Sequence, residues 1–295
     1  MSVKQIHKEC PVCNSAKTKK KDRYYNRKGL VKCTSCGLYF MERIPTQEEL
    51  TLHYSDYPYV FPPEVRISVE KNYDEVLKLI EPFRKNNLLL DYGCGTGLFL
   101  LRAKMKGWEI AGIELSEKAL KECRSEGIPT YSSFEELSKK EKRDFDVVIS
   151  IEVIEHLSNF PVAVKQIYSH LRTGGAFYCT TPNFNNLTRY IHKENYHIIE
   201  YPEHLLYFSI RSLDKGLKRC GFKSRMTKTT GIDISSKRKN FELASTKPVS
   251  LTSNEKYLAR SNKSYILGIL KKTINLFLSL LRIGMTIKVL YTKEN

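Results

Sequence analysis

The stretch Leu88-Leu-Leu-Asp-Tyr-Gly93-Cys-Gly-Thr-Gly97 decides the fold of this 295-residue chain. Its three leucines form a short apolar run, which is typical of a parallel strand that is buried on both faces. Three glycines at alternate positions follow, and residues 98–105 show the periodicity of a helix. Because glycine lets the backbone turn tightly and approach a ligand closely, this order predicts a ligand-binding α/β unit.

The chain after this unit supplies a second strand and an acid. The strand is predicted at residues 108–113 and is followed directly by Glu114. An acid at the end of the second strand can accept hydrogen bonds from two ribose hydroxyls. The turn differs from the GxGxxG pattern of nicotinamide dinucleotide enzymes, whose pyrophosphate sits on a helix N-terminus. Asp91 beside the glycines favours a cationic ligand with an amino-acid tail instead.

Several segments resemble the class I S-adenosylmethionine-dependent methyltransferases. They are Asp91 to Gly97, Gly112 to Ser116, Phe145 to Leu157 and Leu171 to Thr181. The resemblance implies a Rossmann-like α/β fold whose seven-stranded sheet has an antiparallel last strand, with S-adenosylmethionine as cofactor. The residues that it implies around the cofactor are Asp91, Gly93, Cys94, Gly95, Gly97, Glu114, Leu115, Ser133, Phe134 and Ile151.

Four of the eight cysteines form two CxxC pairs near the N-terminus. The first pair is Cys10 with Cys13, and the second is Cys33 with Cys36. Their separation along the chain is that of a structural zinc site with four thiolates, and a β-hairpin turning near residues 26–29 would bring the pairs together. Two redox dithiols are the alternative. A ribbon of this kind before a methyltransferase core resembles a bacterial and archaeal subgroup, many members of which act in sugar or surface-polysaccharide biosynthesis.

Candidate catalytic residues follow the predicted fourth strand. Glu152, Glu155 and His156 lie there, and His204 belongs to a segment that would cross the same cleft. His156 is the first candidate for a general base, because the pKa of free histidine is close to neutrality, and His204 is the second. Glu155 completes the predicted catalytic set.

The same residues resemble the metal site of small-RNA 2′-O-methyltransferases and of ubiquinone-pathway O-methyltransferases. That resemblance implies a second metal site, for magnesium or a similar ion, formed by Glu152, Glu155, His156 and His204. A substrate-facing His156 without a metal and a purely structural histidine are the alternatives.

The predicted organisation has five parts. They are a zinc ribbon at residues 1–45, a linker or lid with a first helix at 46–87, the cofactor-binding core at 88–231, a basic and amphipathic helical insertion at 232–284, and a closing strand with the C-terminus at 285–295. Within the second part, the segment from His53 to Pro63 is predicted as a loop or lid, and a helix is predicted at about 64–83.

The formal charge of +17 is concentrated at the two ends of the chain. Residues 211–295 hold 19 basic and 5 acidic side chains, which suits an anionic partner or a solubilising surface. In residues 264–283 the polar positions share one narrow stripe, and the rest of the predicted helix is apolar. Such a helix fits an anionic membrane surface, a homodimer contact or packing against its own sheet.

No secretory signal is visible at the N-terminus, and no run of 18 uncharged apolar residues occurs. We therefore expect a cytoplasmic protein, either free or peripheral on the inner face of the membrane. The leading prediction is methyl transfer to a hydroxyl of a sugar or surface-glycan intermediate. An RNA methyltransferase is the alternative, because zinc ribbons and basic ends bind phosphate backbones. Nucleic acid is less favoured, since the ribbon has few aromatic residues for base stacking. The second alternative is a non-catalytic scaffold that binds the cofactor.

Overall fold

Strands and helices alternate through the body of the chain in a computed structural model. The residues described are 5–21, 29–55, 63–192, 196, 198–231 and 265–294. The strands are β1 (Thr18–Lys20), β2 (Leu30–Cys33), β3 (Tyr39–Met41), β4 (Leu88–Tyr92), β5 (Glu109–Ile113), β6 (Thr130–Tyr131), β7 (Phe145–Ile151), β8 (Leu171–Pro182), β9 (Leu206–Tyr207), β10 (Phe222–Thr230) and β11 (Thr286–Lys293). The α-helices are α1 (Gln47–Ser55), α2 (Pro63–Ile80), α3 (Leu98–Met105), α4 (Glu117–Ser125), α5 (Phe134–Lys140), α6 (Phe160–His170), α7 (Leu187–His192), α8 (Ile210–Arg219) and α9 (Tyr265–Leu281).

Seven strands form one sheet in the order β10-β11-β8-β7-β4-β5-β6. Strands β4 to β8 pair in parallel, whereas β11 runs antiparallel to both β8 and β10. The leucines of β4 lie in the middle of the sheet and are buried, as their uninterrupted apolar run predicts. The predicted Rossmann-like α/β fold with an antiparallel last strand is therefore confirmed.

Two predicted element boundaries between residues 53 and 83 differ from those in the structure. The first long helix ends at Ile80 and continues only as a short 3-10 turn at Glu81–Phe83. Pro82 stands in that turn, and a proline has no N–H with which to extend the helical hydrogen bonding. The predicted loop from His53 to Pro63 is wrong at its start, because His53 lies in α1, and residues 56–62 lie outside the described part.

The predicted insertion before the last strand is described only in its second half. Residues 232–264, which hold its polar and basic part, lie outside the described residues. The second half contains α9, in agreement with the predicted amphipathic helix. The predicted closing strand corresponds to β11.

A capping box explains why α1 begins where it does. The Thr46 hydroxyl accepts a hydrogen bond from the backbone N–H of Glu49 at 3.2 Å, and the Glu49 carboxylate accepts one from the N–H of Thr46 at 2.9 Å. Two N–H groups that the helix leaves without partners are thereby satisfied. The Thr46-x-x-Glu49 pattern is the sequence signature of a capping box, and it could have predicted the start of α1.

The N-terminal strands form a second, four-stranded sheet in the order β1-β2-β3-β9. β1 and β2 form the hairpin predicted between the cysteine pairs, while its turn at residues 22–28 lies outside the described residues. β9 comes from much later in the chain and pairs with β3, so that Tyr39 lies opposite Tyr207. The sheet thus draws its strands from both sides of the predicted boundary at residue 45.

The two sheets also share one apolar core. The four clustered cysteines belong to the same buried cluster as Phe160 and Leu213. A Cβ on Gly216 would lie 2.8 Å from both Phe160 and Val12, so helix α8 approaches the N-terminal segment as closely as glycine permits. The N-terminal sheet is therefore packed on the body of the molecule.

Candidate active site

The glycine turn between β4 and α3 has a backbone that side chains would obstruct. Gly93 and Gly97 have φ angles of +82° and +76°, in the left-handed region. A Cβ on Gly93 would lie 2.4 Å from the side chain of Val153, and one on Gly97 would lie 2.4 Å from Ile128. Glycine is therefore required at both positions, and the turn packs directly against the segment that follows β7.

Glu114 binds this turn from the end of β5. Its Oε2 accepts a hydrogen bond from the N–H of Gly95 at 2.9 Å, and its Oε1 accepts from the N–H groups of Leu115 and Ser116 at 2.7 and 2.8 Å. A carboxylate offers about four acceptor positions, so one remains for a ligand hydroxyl. Glu114 is thus joined to the glycine turn by a hydrogen bond that the sequence analysis did not predict.

Asp91 lies beneath the turn and is buried. Burial raises its pKa well above the usual range, and the nearby Glu114 and Cys123 raise it further. A cationic ligand beside Asp91 would oppose these effects and favour the ionised carboxylate. Cys94 is buried behind the turn, where a Cβ on Gly112 would come within 2.6 Å of its Sγ.

The remaining predicted cofactor residues lie around the same edge of the sheet. Ser133 caps the N-terminus of α5, while Phe134 is buried and stacks on Tyr92 with 5.2 Å between ring centroids. Leu115 is 77% exposed, and Ile151 is half-buried at the end of β7. Tyr92 was not predicted among the cofactor residues, although it directly precedes Gly93 and stacks on the predicted residue Phe134.

A second group of polar side chains lies next to the turn. Glu155, His156 and His204 present one ligand atom each, and these atoms all lie within 4.8 Å of one another. The Nε2 atom of His156 is 3.8 Å from Oε1 of Glu155, and the two imidazole centroids are 4.9 Å apart. The structure therefore brings the three predicted catalytic residues together.

Hydrogen bonds fix the orientation of this group. His156 Nδ1 lies 2.7 Å from the carbonyl oxygen of Glu203, and His204 Nδ1 lies 2.7 Å from that of Ile198. Because a carbonyl oxygen only accepts, each Nδ1 donates its proton in these hydrogen bonds. Glu155 accepts a hydrogen bond from the Thr181 hydroxyl at 2.9 Å, while its other oxygen, Oε1, has no hydrogen-bond partner among the described residues.

Burial shifts both kinds of titrating group in this cluster. It raises the pKa of Glu155 well above its usual range, with the charge of Glu152 adding to the effect. It lowers the pKa of His156 to about 4, with His204 contributing in the same direction. At neutral pH His156 is therefore uncharged, and the carboxyl group of Glu155 holds a proton more readily than a free glutamic acid does.

Glu152 was predicted as a fourth ligand, but its carboxylate is not among the ligand atoms that converge within 4.8 Å of one another. Its carboxylate accepts a hydrogen bond from the Thr180 hydroxyl at 2.6 Å, while the rest of the residue is exposed. Its φ angle is +54°, a conformation that non-glycine residues rarely adopt and that occurs often at functional sites. Three of the four predicted ligands are thus assembled.

Two residues in this neighbourhood escaped sequence reasoning. His53, on α1, has its Nε2 3.8 Å from the carboxylate of Glu203, whose carbonyl holds His156. The contact is hidden in the sequence, because its two partners belong to distant parts of the chain. Nothing in the local pattern around His53 distinguishes it from an exposed helical histidine.

The four N-terminal cysteines converge in a buried cluster. Sγ of Cys10 lies 3.6 Å from that of Cys36, and Sγ of Cys13 lies 3.6 Å from that of Cys33. The sulfurs of a tetrahedral zinc site with Zn–S bonds of about 2.3 Å are roughly 3.8 Å apart. A hydrogen bond from Cys10 lowers the pKa of Cys36 to about 5, and a metal ligand must be such a thiolate. The donor set therefore fits a zinc ion.

A family model described as a methyltransferase domain matches residues 66–242, which is more than half of the chain. The chain belongs to this methyltransferase family. The methyltransferase fold supports S-adenosylmethionine as the cofactor. The predicted class of enzyme is confirmed at this level.

Curated relatives of this methyltransferase carry the name ubiquinone biosynthesis O-methyltransferase. The relative from Idiomarina loihiensis is 31% identical over 104 residues, and that from Azoarcus is 35% identical over 104 residues. Each match covers 33% of this chain, and 43% and 45% of the respective relative. The chain thus spans less than half the length of the curated relatives that it matches.

Solved structures support the fold of the methyltransferase. An S-adenosylmethionine-dependent methyltransferase from Archaeoglobus fulgidus matches with a TM-score of 0.50 and 20% identity, over 76% of this chain and 94% of the other. A protein from Pyrococcus horikoshii matches with a TM-score of 0.50 and 15% identity, over 85% of this chain and all of the other. At such identities the likeness concerns the fold alone.

Proposed function

We propose that this protein is an O-methyltransferase whose acceptor is a hydroxyl group. The observation that carries the proposal is the contact between Gly93 and Val153. It places the cofactor turn directly against the segment that bears Glu155 and His156. A donor bound on the turn and an acceptor bound at these residues would therefore meet at one edge of the sheet.

The protein contributes alignment and proton transfer to this reaction. S-adenosylmethionine supplies an activated methyl group on a sulfonium, so that the new bond joins the methyl carbon to the acceptor oxygen while the sulfur–methyl bond breaks. The proton of the hydroxyl passes to Oε1 of Glu155 or to a histidine Nε2, the acceptor atoms that face one another here. Holding donor and acceptor in line supplies the rest of the acceleration.

The same three residues fit a divalent cation. The two histidines present Nε2 to a ligand because Nδ1 is committed to a carbonyl oxygen, which is the usual support of a metal-binding imidazole. With two nitrogens and one carboxylate, this set suits manganese, zinc or iron better than the predicted magnesium, which prefers oxygen ligands. A bound cation would polarise the acceptor hydroxyl and promote loss of its proton.

The four-cysteine cluster is proposed to hold one structural zinc ion. Its support is the convergence of four buried sulfurs at the separations that a tetrahedral site requires. The zinc ion would tie the turn after Cys10 to the turn after Cys33, and so hold the N-terminal sheet together.

The acceptor is proposed to be a hydroxyl on a sugar or glycan intermediate. The ribbon that precedes the core supports this choice, through its resemblance to enzymes of polysaccharide biosynthesis. A phenolic hydroxyl is the second candidate, since the curated relatives are named O-methyltransferases of ubiquinone biosynthesis. An RNA 2′-hydroxyl remains the third, on the strength of the basic ends.

Cofactor binding is tested by calorimetry with S-adenosylmethionine on the wild type and on Glu114→Ala. We expect micromolar affinity, weakened at least tenfold in the variant, because hydrogen bonds to a charged group contribute about 1.5–3 kcal/mol each. Glu117→Ala removes an exposed acid from the next turn of the chain and is the matched control. Equal affinity in Glu114→Ala and Glu117→Ala would contradict the assigned pocket.

Catalysis is tested by S-adenosylhomocysteine release with a panel of nucleotide sugars, lipid-linked glycans, catechols and short RNAs. With the accepted compound, we expect Glu155→Gln to lower turnover about 100-fold or more while cofactor affinity stays unchanged. Glu135→Gln, at an exposed position of α5, is the control. Cofactor binding without turnover of any acceptor, with or without Mn²⁺, would favour the scaffold alternative.

A further inference from the structure

Two helices expose large apolar side chains near the active site. On α7 these are Leu187, Tyr190 and Ile191, and on α9 they are Leu276, Phe277, Leu280 and Leu281. Ile191 is 65% exposed, Phe277 61% and Leu280 72%. We refer to these seven side chains as the apolar platform. Large apolar side chains exposed in such groups mark an interaction site more often than scattered single residues do.

Helix α9 is attached to the sheet through its polar side. Asn275 accepts a hydrogen bond from the N–H of Gly231, and Ser279 accepts one from the N–H of Thr229. The Thr229 hydroxyl also donates to the carbonyl oxygen of Leu278 at 2.8 Å. Asn275 and Ser279 thus face the protein, whereas Leu276, Phe277, Leu280 and Leu281 are exposed, the reverse of an ordinary surface helix.

The two helices meet at one junction. The backbone N–H of Leu187 donates to the carbonyl oxygen of Ile283 at 3.1 Å, directly after α9. The side-chain amide of Asn183 donates to the carbonyl oxygens of Arg282 and Gly284 at 3.1 and 2.7 Å. The buried Asn183 thus fixes the end of α9 beside the start of α7, so that the exposed residues of both helices flank one point.

This junction adjoins the pocket of the proposed reaction. Strand β8 ends at Pro182, just before α7, and Pro182 lines a pocket together with Glu155, Phe184 and His204. The residue before it, Thr181, donates its hydroxyl hydrogen to Glu155. The apolar platform therefore lies at the edge of the sheet where the acceptor is expected to enter.

We propose that the apolar platform docks on the surface of an anionic phospholipid bilayer. Helix α9 would lie in the headgroup region with Leu276, Phe277, Leu280 and Leu281 among the acyl chains, as an interfacial helix does. If the proposed function holds, this docking would present the active site to an acceptor hydroxyl carried by a lipid-anchored molecule. Among the described residues, no helix has the length and apolar character to cross a membrane.

Charge favours the bilayer over a second copy of the chain. Residues 211–295, which include α9, hold 19 basic and only 5 acidic side chains. Two copies of the chain would repel one another through this net positive charge, whereas anionic headgroups attract it while the acyl chains accept the apolar residues. One partner thus satisfies both features of this surface.

The test is sedimentation of the full chain with two kinds of vesicle, one of phosphatidylcholine alone and one of phosphatidylcholine and phosphatidylglycerol in a two-to-one ratio. We expect binding that rises with phosphatidylglycerol and falls with salt. The double variant Phe277→Ser with Leu280→Ser should lower the partition coefficient roughly 10- to 100-fold, because each side chain loses its burial in the acyl region. Met105→Ser with Val162→Ser, two exposed apolar positions outside the platform, is the matched control.

Calorimetry with S-adenosylmethionine shows whether each variant is folded, and vesicle binding needs no turnover, so failure of the proposed reaction and failure of docking are distinguishable. Equal vesicle binding by both double variants would overturn the proposal. So would a lipid-free dimer at micromolar concentration that Phe277→Ser with Leu280→Ser abolishes, because the platform would then be covered by a second copy.

Discussion

At the scale of single residues, Asp146 shows how one side chain organises several loops. Its carboxylate is fully buried and accepts a hydrogen bond from the guanidinium of Arg172 at 2.6 Å. It also accepts from the backbone N–H groups of Lys85 and Asn86, just before β4. Burial alone would raise its pKa, but these donors outweigh burial and hold the pKa below its usual value.

Asp146→Asn is expected to lower the free energy of unfolding by about 3 kcal/mol at pH 7, because it leaves Arg172 without its buried partner. Since the pKa of Asp146 is lower in the folded state, its contribution is present above the ordinary pKa of about 4 and is lost as the pH falls below it. Urea titrations should therefore show a smaller difference between variant and wild type at pH 3 than at pH 7. Asp144→Asn, two residues earlier and exposed, is the control, and an equal effect of the two changes would contradict this role.

At the scale of secondary-structure elements, the N-terminal sheet is linked to the predicted catalytic residues by backbone hydrogen bonds. The N–H of Met41 in β3 donates to the carbonyl oxygen of Leu205 at 2.9 Å, and the N–H of Leu205 donates to that of Glu155 at 2.9 Å. His204 directly precedes Leu205. The cysteine cluster, which sets the turn between β2 and β3, therefore supports the position of His204 and Glu155.

Loss of the zinc ion proposed for the cysteine cluster is expected to impair methyl transfer more than cofactor binding. In Cys36→Ser we expect a lower zinc content and turnover reduced at least tenfold, because β3 would no longer hold the segment of His204. Affinity for S-adenosylmethionine should change less than about twofold, since its turn lies between β4 and α3. Metal analysis, calorimetry and turnover measure the three quantities. Cys220→Ser, outside the cluster, is the control, and full turnover in zinc-free protein would contradict the link.

At the scale of the whole molecule, the cofactor is expected to stabilise the fold. A ligand that binds only the native state adds about 2.7 kcal/mol at 100 times its Kd. For a chain of this size we expect the unfolding temperature to rise by several degrees with S-adenosylmethionine. In Gly93→Ala the rise should vanish, because the added Cβ would collide with Val153 and displace the turn. Thermal scans of Gly127→Ala, whose Cβ would meet open space, provide the control; an equal rise in Gly93→Ala would contradict the placement of the cofactor.

The sequence by itself determined the features that depend on neighbouring residues. The glycine turn requires backbone angles that only glycine adopts freely, so the spacing of Gly93 and Gly97 alone predicts a tight turn between a strand and a helix. The spacing of the two CxxC turns and the uninterrupted apolar run of β4 are likewise local features that the sequence itself displays. Local geometry and the alternation of strands with helices were sufficient for the fold class.

Only the tertiary structure decided the features that depend on distant contacts. It added β9 to the N-terminal sheet, brought His53 to Glu203, and turned the polar side of α9 toward β10. An amphipathic pattern predicts that a helix has a polar and an apolar face, but it does not predict which face packs against the sheet. That choice is made by unpaired backbone groups such as the N–H of Gly231, which bind a partner that lies far away in the sequence.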